Sequence, residues 1–523
     1  MWATIRAGLL VLTAVVLVGC AAPAAKRGPD GLALDLKAEG SDGFVVLKVV
    51  STRPVSLLNP KWQNIAVRST GGQNDELRDL TPPYSMLGAN YVPTESLYFA
   101  RLKAGEYEVS SLGSTGAGPG LLLALMMSDH ASMQKRLPRF NVETGRLTNL
   151  GTIVYAPELD KDQPADIVLL SGPVGQRAAL QDLRDEGGTA ALPPLGGGWG
   201  APPEESAESL KRAREMVSMV SHRGSAISGG TFIGGSHLGQ ILMRTGPRTW
   251  VRESLDTLNR VVFATRLADG TLVAGMEYGR YQIKRPGGTW EAHKIGSEKG
   301  RVVYIEPRAD GSALFVAGDA KTTRVWLKRG GLDHASDEIT QVAAFGTPPD
   351  LLLTLPDALI VAWNETGILR QSVHHRIDKN TLKLTTYKES FWVVDWQYRV
   401  DGSVALTRQN GMSGYRSVSL DGARTWITAN EPGYLGGFWL DANKGYAFGV
   451  SPGFSTVDSL LQVTSDGGKT WQRQGGPLVA PSVGQLLQVD GQELVALAGH
   501  VVYSSIDQGG TWQRVFPVPQ AGR

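Results

Sequence analysis

Three octapeptides near the C-terminus constrain the fold of this chain more than any other feature in it. They are Ser419-Leu420-Asp421-Gly422-Ala423-Arg424-Thr425-Trp426, Thr464-Ser465-Asp466-Gly467-Gly468-Lys469-Thr470-Trp471 and Ser505-Ile506-Asp507-Gln508-Gly509-Gly510-Thr511-Trp512. Each follows Ser/Thr-x-Asp-x-Gly-x-Thr-Trp, with Ala423 where the other two carry glycine. The pattern predicts a hairpin: the aspartate accepts backbone N–H groups across a tight turn, glycine takes a positive φ, and Thr-Trp opens the returning strand. The tryptophan then packs between neighbouring sheets. One octapeptide alone says little. Three, with tryptophans forty-five and forty-one residues apart, predict repeated structural units.

A longer series lies behind them. Similar strand cores occur at Thr231–Gly235, Thr271–Gly275, Ala313–Gly318, Ala358–Trp363, Val404–Thr407, Tyr446–Gly449 and Leu494–Gly499. Their last residues step by 40, 43, 45, 44, 42 and 50. That spacing predicts four-stranded blades, seven of them, with six as the alternative count. Gly246-Pro247-Arg248-Thr249-Trp250 and Gly287-Gly288-Thr289-Trp290 read as hairpins that have lost the aspartate, and residues 341–387 carry no recognisable octapeptide.

The octapeptide is similar to the Asp-box of sialidase-like and photosystem-assembly-factor-like β-propellers. The resemblance implies that Asp421, Asp466 and Asp507, with Trp426, Trp471 and Trp512, are structural, since in those propellers the boxes lie in peripheral hairpins away from the catalytic face. It also raises glycoside hydrolysis as an alternative function. Sialidases carry an early Arg-Ile-Pro motif, which this sequence lacks, so no catalytic residue can be carried over. A paired-carboxylate site is spatial and stays invisible to spacing.

At the other end, Arg6 precedes an apolar run, Ala7–Val18, too short to span a bilayer as a mature helix. Leu17-Val18-Gly19-Cys20 follows, and Cys20 is the only cysteine. This resembles a bacterial lipobox, which implies removal of residues 1–19 as a signal peptide and lipid acylation of Cys20. By resemblance to Gram-negative sorting, Ala21 implies outer-membrane anchoring on the periplasmic side. With no second cysteine, the exported chain has no internal disulfide and must rely on hydrophobic cores. A hydrophobic content of 42% over 523 residues is enough for more than one. The net charge of +2 predicts no general attraction to nucleic acid.

Residues 20–31 read as a tether and residues 32–185 as short alternating strands. Leu102-Lys103-Ala104-Gly105-Glu106-Tyr107 resembles a motif of transthyretin-like and carboxypeptidase-regulatory-like sandwiches, which implies an N-terminal β-sandwich. Glycine- and proline-rich residues 186–222 read as a linker holding one amphipathic helix, opened by Pro202-Pro203-Glu204-Glu205 and supported by a Glu208–Arg212 pair. Leu121–Met127 reads as a buried strand or short packed helix. Residues 223–518 form the expected propeller, so the fold class is all-β.

No motif demands a cofactor or a metal. His374-His375 with Asp378 nearby matches no metal-ligand spacing and reads as a solvent-facing loop. The candidate binding patch is aromatic: Trp392, Trp396 and Tyr398 precede one strand core, and Tyr434, Phe438 and Trp439 hold equivalent places before the next. Grouped on one face, they would suit a protein or glycan partner. The expectation is therefore a non-enzymatic, lipid-anchored scaffold that binds through a propeller face.

Overall fold

The computed structural model describes residues 40–51, 62, 64–80, 95–114, 129–133, 136–156, 166–187, 191–201, 205–217, 226–228, 231–296, 298–319, 322–332, 338–346, 351–365, 371–398, 402–410, 413–432, 438–441, 443–450, 459–478, 485–489, 493–498 and 501–516. Cys20 and its signal segment, Leu32–Leu36, Leu121–Met127, Val220 and Tyr434 lie outside the described residues. The chain is all-β, with two helices among the described residues.

Ten strands come first: β1 (Asp42–Ser51), β2 (Asn64–Ser69), β3 (Asn74–Asp79), β4 (Glu95–Lys103), β5 (Gly105–Ser114), β6 (Asp129–Ser132), β7 (Phe140–Val142), β8 (Leu147–Ala156), β9 (Asp166–Leu170) and β10 (Gly198–Trp199). Hydrogen bonding joins them in a single sheet, β10-β7-β5-β2-β3-β4-β1-β8-β9, with β6 beside β5. The expected sandwich has two separate sheets, whereas here the ladder is continuous. The long β1 lies antiparallel to β4 and parallel to β8. It is buried at almost every position because both of its faces are covered. Val45, Leu47 and Val49 enter one core with Ile65, Tyr98, Phe140 and Trp199. Phe44, Val46 and Val50 face the other way, toward the helices.

Helix α1 (Pro173–Gly187) begins inside the segment read from sequence as sandwich and ends two residues beyond it. Its leading Pro173 suits a first helical position. Helix α2 (Ala207–Met216) starts later than expected, capped by Ser206, whose hydroxyl accepts from the Ser209 amide. Two expectations are corrected here. Glu205 does not open α2: its carboxylate accepts the Gly172, Val174 and Gly175 amides at 2.8–3.1 Å and so closes the N-terminus of α1. Arg212 pairs with Asp166 rather than Glu208.

The glycine- and proline-rich stretch is not a free linker throughout. Its Gly198–Trp199 pairs with β7, the Gly197 amide donates to Glu143 at 2.7 Å, and the buried Trp199 indole donates to the Leu150 carbonyl. A single large aromatic holds a stretch whose average composition reads as solvated.

Seven four-stranded antiparallel sheets follow in chain order, each a simple meander. Every strand core picked out in the sequence is the second strand of its sheet. Their recurring glycine has a packing reason. A Cβ on Gly235 would come within 2.1 Å of the Val261 carbonyl, and one on Gly275 within 2.2 Å of Val302, both on the next sheet's first strand. Apolar clusters join the first sheet to the second, the second through the third to the fourth, and the fourth to the fifth. Others join the sixth sheet to the seventh and the seventh back to the first, where Phe232 and Leu242 meet Val495 and Val502.

Candidate functional site

In the three octapeptides each aspartate is fully engaged in a turn between the third and fourth strands of its sheet. Asp466 Oδ1 accepts from the Thr464 hydroxyl at 2.8 Å and the Thr470 amide at 2.9 Å, while Oδ2 accepts from the Thr470 hydroxyl at 2.6 Å. Asp421 is held in the same way by Ser419 and Thr425, and Asp507 by Ser505 and Thr511. These bonds favour the ionised carboxylates. Those on Asp421 and Asp466, led by the threonine hydroxyls, push the carboxyls well below the usual range, and Asp507 falls to about 2. Such groups are turn locks with no proton to exchange near neutral pH. Trp426 packs between the fourth and fifth sheets and Trp512 between the sixth and seventh; Trp471 lies edge-on to Trp439 at 5.6 Å.

The fourth sheet has an aspartate turn that sequence reading missed. Asp378 Oδ1 accepts from the Asn380 amide, the Thr381 amide and the Thr381 hydroxyl. Its spacing departs from the octapeptide, so a motif search passes over it.

The aromatic residues fall into different environments. Trp396 is 8% exposed and packs in the core of the fourth and fifth sheets. Tyr398, at 40%, is exposed, and Trp392 is half-buried. Trp439 packs on Trp471, and Phe438 has its backbone in the first strand of the sixth sheet. Packing between sheets therefore claims Trp396, while Trp439 packs on a tryptophan of its own sheet; the sequence had grouped both in a surface patch.

His374 and His375 lie on a strand, Gln371–Asp378, and not in a loop. His374 is buried edge-on to Trp396 and shares a 3.0 Å hydrogen bond with Ser372. Burial, followed by His375, lowers its pKa to about 4. Among the described residues no group of three or more His, Cys, Asp or Glu is placed to hold a metal. No described helix is long and apolar enough to cross a membrane.

The ten-stranded sheet docks on the repeat sheets through buried charge. Lys48 on β1 contacts Asp182 of α1 at 2.8 Å and Glu95 of β4 at 3.0 Å. Glu95 in turn lies 2.8 Å from Nδ1 of His237, in the turn after the first repeat sheet's second strand. Burial alone would raise the Glu95 carboxyl, but Lys48 and His237 hold it down to about 2. Nearby, Arg280 of the second repeat sheet pairs with Asp185, Tyr278 donates to Glu186, and Arg214 donates to the Leu238 and Leu255 carbonyls. In an antiparallel meander this docking end is opposite the end that carries the aspartate turns.

A cleft of about 910 Å³ opens beside this junction, within the range of ~300–1,000 Å³ typical of small-molecule sites. Its floor is one face of the strand Arg280–Lys284. Arg280, Gln282 and Lys284 alternate there, opposite Lys294, Ala292 and Trp290 of the next strand. One wall is the outer strand of the first sheet, where Glu253 accepts from Lys284 at 2.7 Å and from the Trp290 indole at 3.3 Å. The helices close the remaining side through Val174, Gln181 and Leu210. Sequence reading recognised the Thr289-Trp290 hairpin, but the helical wall, Val174 to Leu210, lies 80 to 116 residues before Trp290 and carries no local signal.

No protein-family model matches the chain, and no curated protein matches it significantly. Among solved structures, YCF48 bound to D1 peptide is 15% identical, covers 54% of this chain and 91% of its own, and has a TM-score of 0.41. YCF48 from Cyanidioschyzon merolae is 14% identical, covering 54% and 93%, with a TM-score of 0.36. A polysaccharide lyase of the PL25 ulvan lyase family is 9% identical, covering 57% and 94%, with a TM-score of 0.35.

Proposed function

We propose that this chain is a lipid-anchored scaffold of the bacterial cell envelope. In this reading residues 1–19 are removed, Cys20 is acylated, and the seven sheets form a seven-bladed Asp-box β-propeller held at the outer membrane facing the periplasm. Its work is to bind a protein or glycan partner, without catalysis. The observation that carries the reading is the buried Lys48–Glu95–His237 junction. It ties the ten-stranded sheet to one end of the repeat sheets, so that a binding surface is presented on a preformed frame. The locked aspartates support it too, because carboxylates consumed by turns serve rigidity.

The test is fractionation of cells expressing the wild type and Cys20→Ser. The wild type should incorporate a labelled fatty acid and sediment with outer membranes. The variant should lose the label and leave the membrane fraction. Labelled Cys20→Ser in the membrane would overturn the anchor. Release of sugar from chromogenic glycosides by the purified chain would overturn the non-catalytic role.

A further inference from the structure

We infer that the cleft between the two helices and the second repeat sheet binds a small polyvalent oxyanion, one carrying several phosphate or carboxylate groups. The site is additional to the scaffold surface proposed above and needs neither the lipid anchor nor a partner chain.

Charge balance supplies the first argument. Two ion pairs cancel at the cleft, Lys284 with Glu253 and Arg280 with Asp185. Three further cations meet there. Arg177 lines it from α1 and Arg214 from α2, and Lys294 lies directly opposite Arg280 in the ladder, hence on the face that forms the floor. Among the described residues neither Arg177 nor Lys294 has a hydrogen bond or an ion pair. Arg214 is half-buried and donates only to neutral acceptors, the Leu238 and Leu255 carbonyls. Against these cations stands one further acid of the lining, the exposed Asp256. Burial, with Arg280 and Lys299 beside it, lowers the Lys294 pKa, and burial lowers that of Arg214 despite Asp256. Both side chains therefore stand where an added negative charge is favoured.

Geometry narrows the ligand class. The uncompensated cations come from α1, α2 and the floor, so a ligand with several charged groups on a short skeleton meets more of them than a monovalent ion does. A guanidinium presents a planar fork of donors that matches the oxygens of phosphate and carboxylate, and the fork of Arg177 is exposed. A divalent metal ion would add to the positive excess, and a neutral ligand would leave it standing. The cleft has the volume of a small-molecule site. Its floor strand is hydrogen-bonded on both sides and offers an extended peptide no free edge for main-chain pairing.

The experiment is calorimetric titration of the full chain, in neutral detergent at low salt, with pyrophosphate and with citrate. Sucrose and polyglutamate serve as comparison probes. At least one of the two small anions should bind, and more weakly as sodium chloride is added. Pyrophosphate alone assigns a phosphoryl ligand, and citrate alone a carboxylate one. Arg177→Gln and Lys294→Gln should each weaken binding about tenfold, the loss of one charge-assisted contact. Both should keep the wild-type melting temperature, because neither side chain has a partner to lose. Arg184→Gln, also exposed on α1 but outside the cleft, should bind as the wild type does. The inference falls if neither small anion binds at millimolar concentration, if only sucrose or polyglutamate binds, or if Arg184→Gln weakens binding as much as Arg177→Gln. Fractionation of Cys20→Ser is unaffected by any of these results, so the scaffold reading and the anion site fail separately.

Discussion

His374 shows how burial turns an ordinary side chain into a pH liability. Its ordinary pKa of 6.5 drops to about 4 in the folded chain, so between those values the unfolded chain binds more protons. Stability is therefore retained above pH 6.5 and lost as pH falls toward 4, by up to about 3 kcal/mol for a shift of this size. His375 is lowered by burial as well and adds in the same direction. Urea unfolding followed across this pH range should show the decline, and His374→Gln should flatten it. An equally steep decline in the variant would place the titration elsewhere. The aspartates of the three turns behave differently, because their partners are local. Every bond to Asp466 comes from within four residues, which is why its role was legible from the octapeptide alone. His374 was not legible, since Trp396 reaches it from another sheet.

At the scale of elements, Glu205 links two helices that composition treats separately. Three amides at the start of α1 converge on its carboxylate, where the positive end of the helix dipole also favours a negative charge. Glu205→Ala should cost about 1 kcal/mol, with faster amide exchange over residues 172–176 than over the end of α1. Unchanged exchange there would show that the cap contributes nothing. Strand cores of the repeat were legible because each sheet re-creates the same environment: small or β-branched residues ending in a glycine that faces the next sheet, as at Gly235 and Gly275. The helix α1 was not, because its inward face is completed by β1 and β8. Nor was the fate of Gly198 and Trp199, whose strand exists only because β7 offers an edge. The cleft shares that origin: Trp290 and Gln282 are local to one sheet, yet the wall that closes over them is helical and distant.

For the molecule as a whole, the decisive contact is between the first and last repeat sheets. Arg244, on the third strand of the first sheet, donates to Glu493 of the seventh at 2.6 Å, and both are almost fully buried. The Ser504 hydroxyl donates to the other Glu493 oxygen, and Phe232, Leu242, Val495 and Val502 pack together across the same two sheets. Sheets joined first to last in this way should unfold as one unit, whereas an open array frays from its ends. Removing one partner strands a charge in an apolar seam, so Glu493→Leu and Arg244→Met should each cost about 3–5 kcal/mol. Removing both with Arg244→Met and Glu493→Leu should restore most of the loss, since an apolar pair suits the seam. A double-mutant cycle in urea measures this. Restoration of most of the loss with a single cooperative transition is the expected outcome. Additive losses, or a separate early transition in every variant, would mean that the seven sheets do not depend on this seam to hold together.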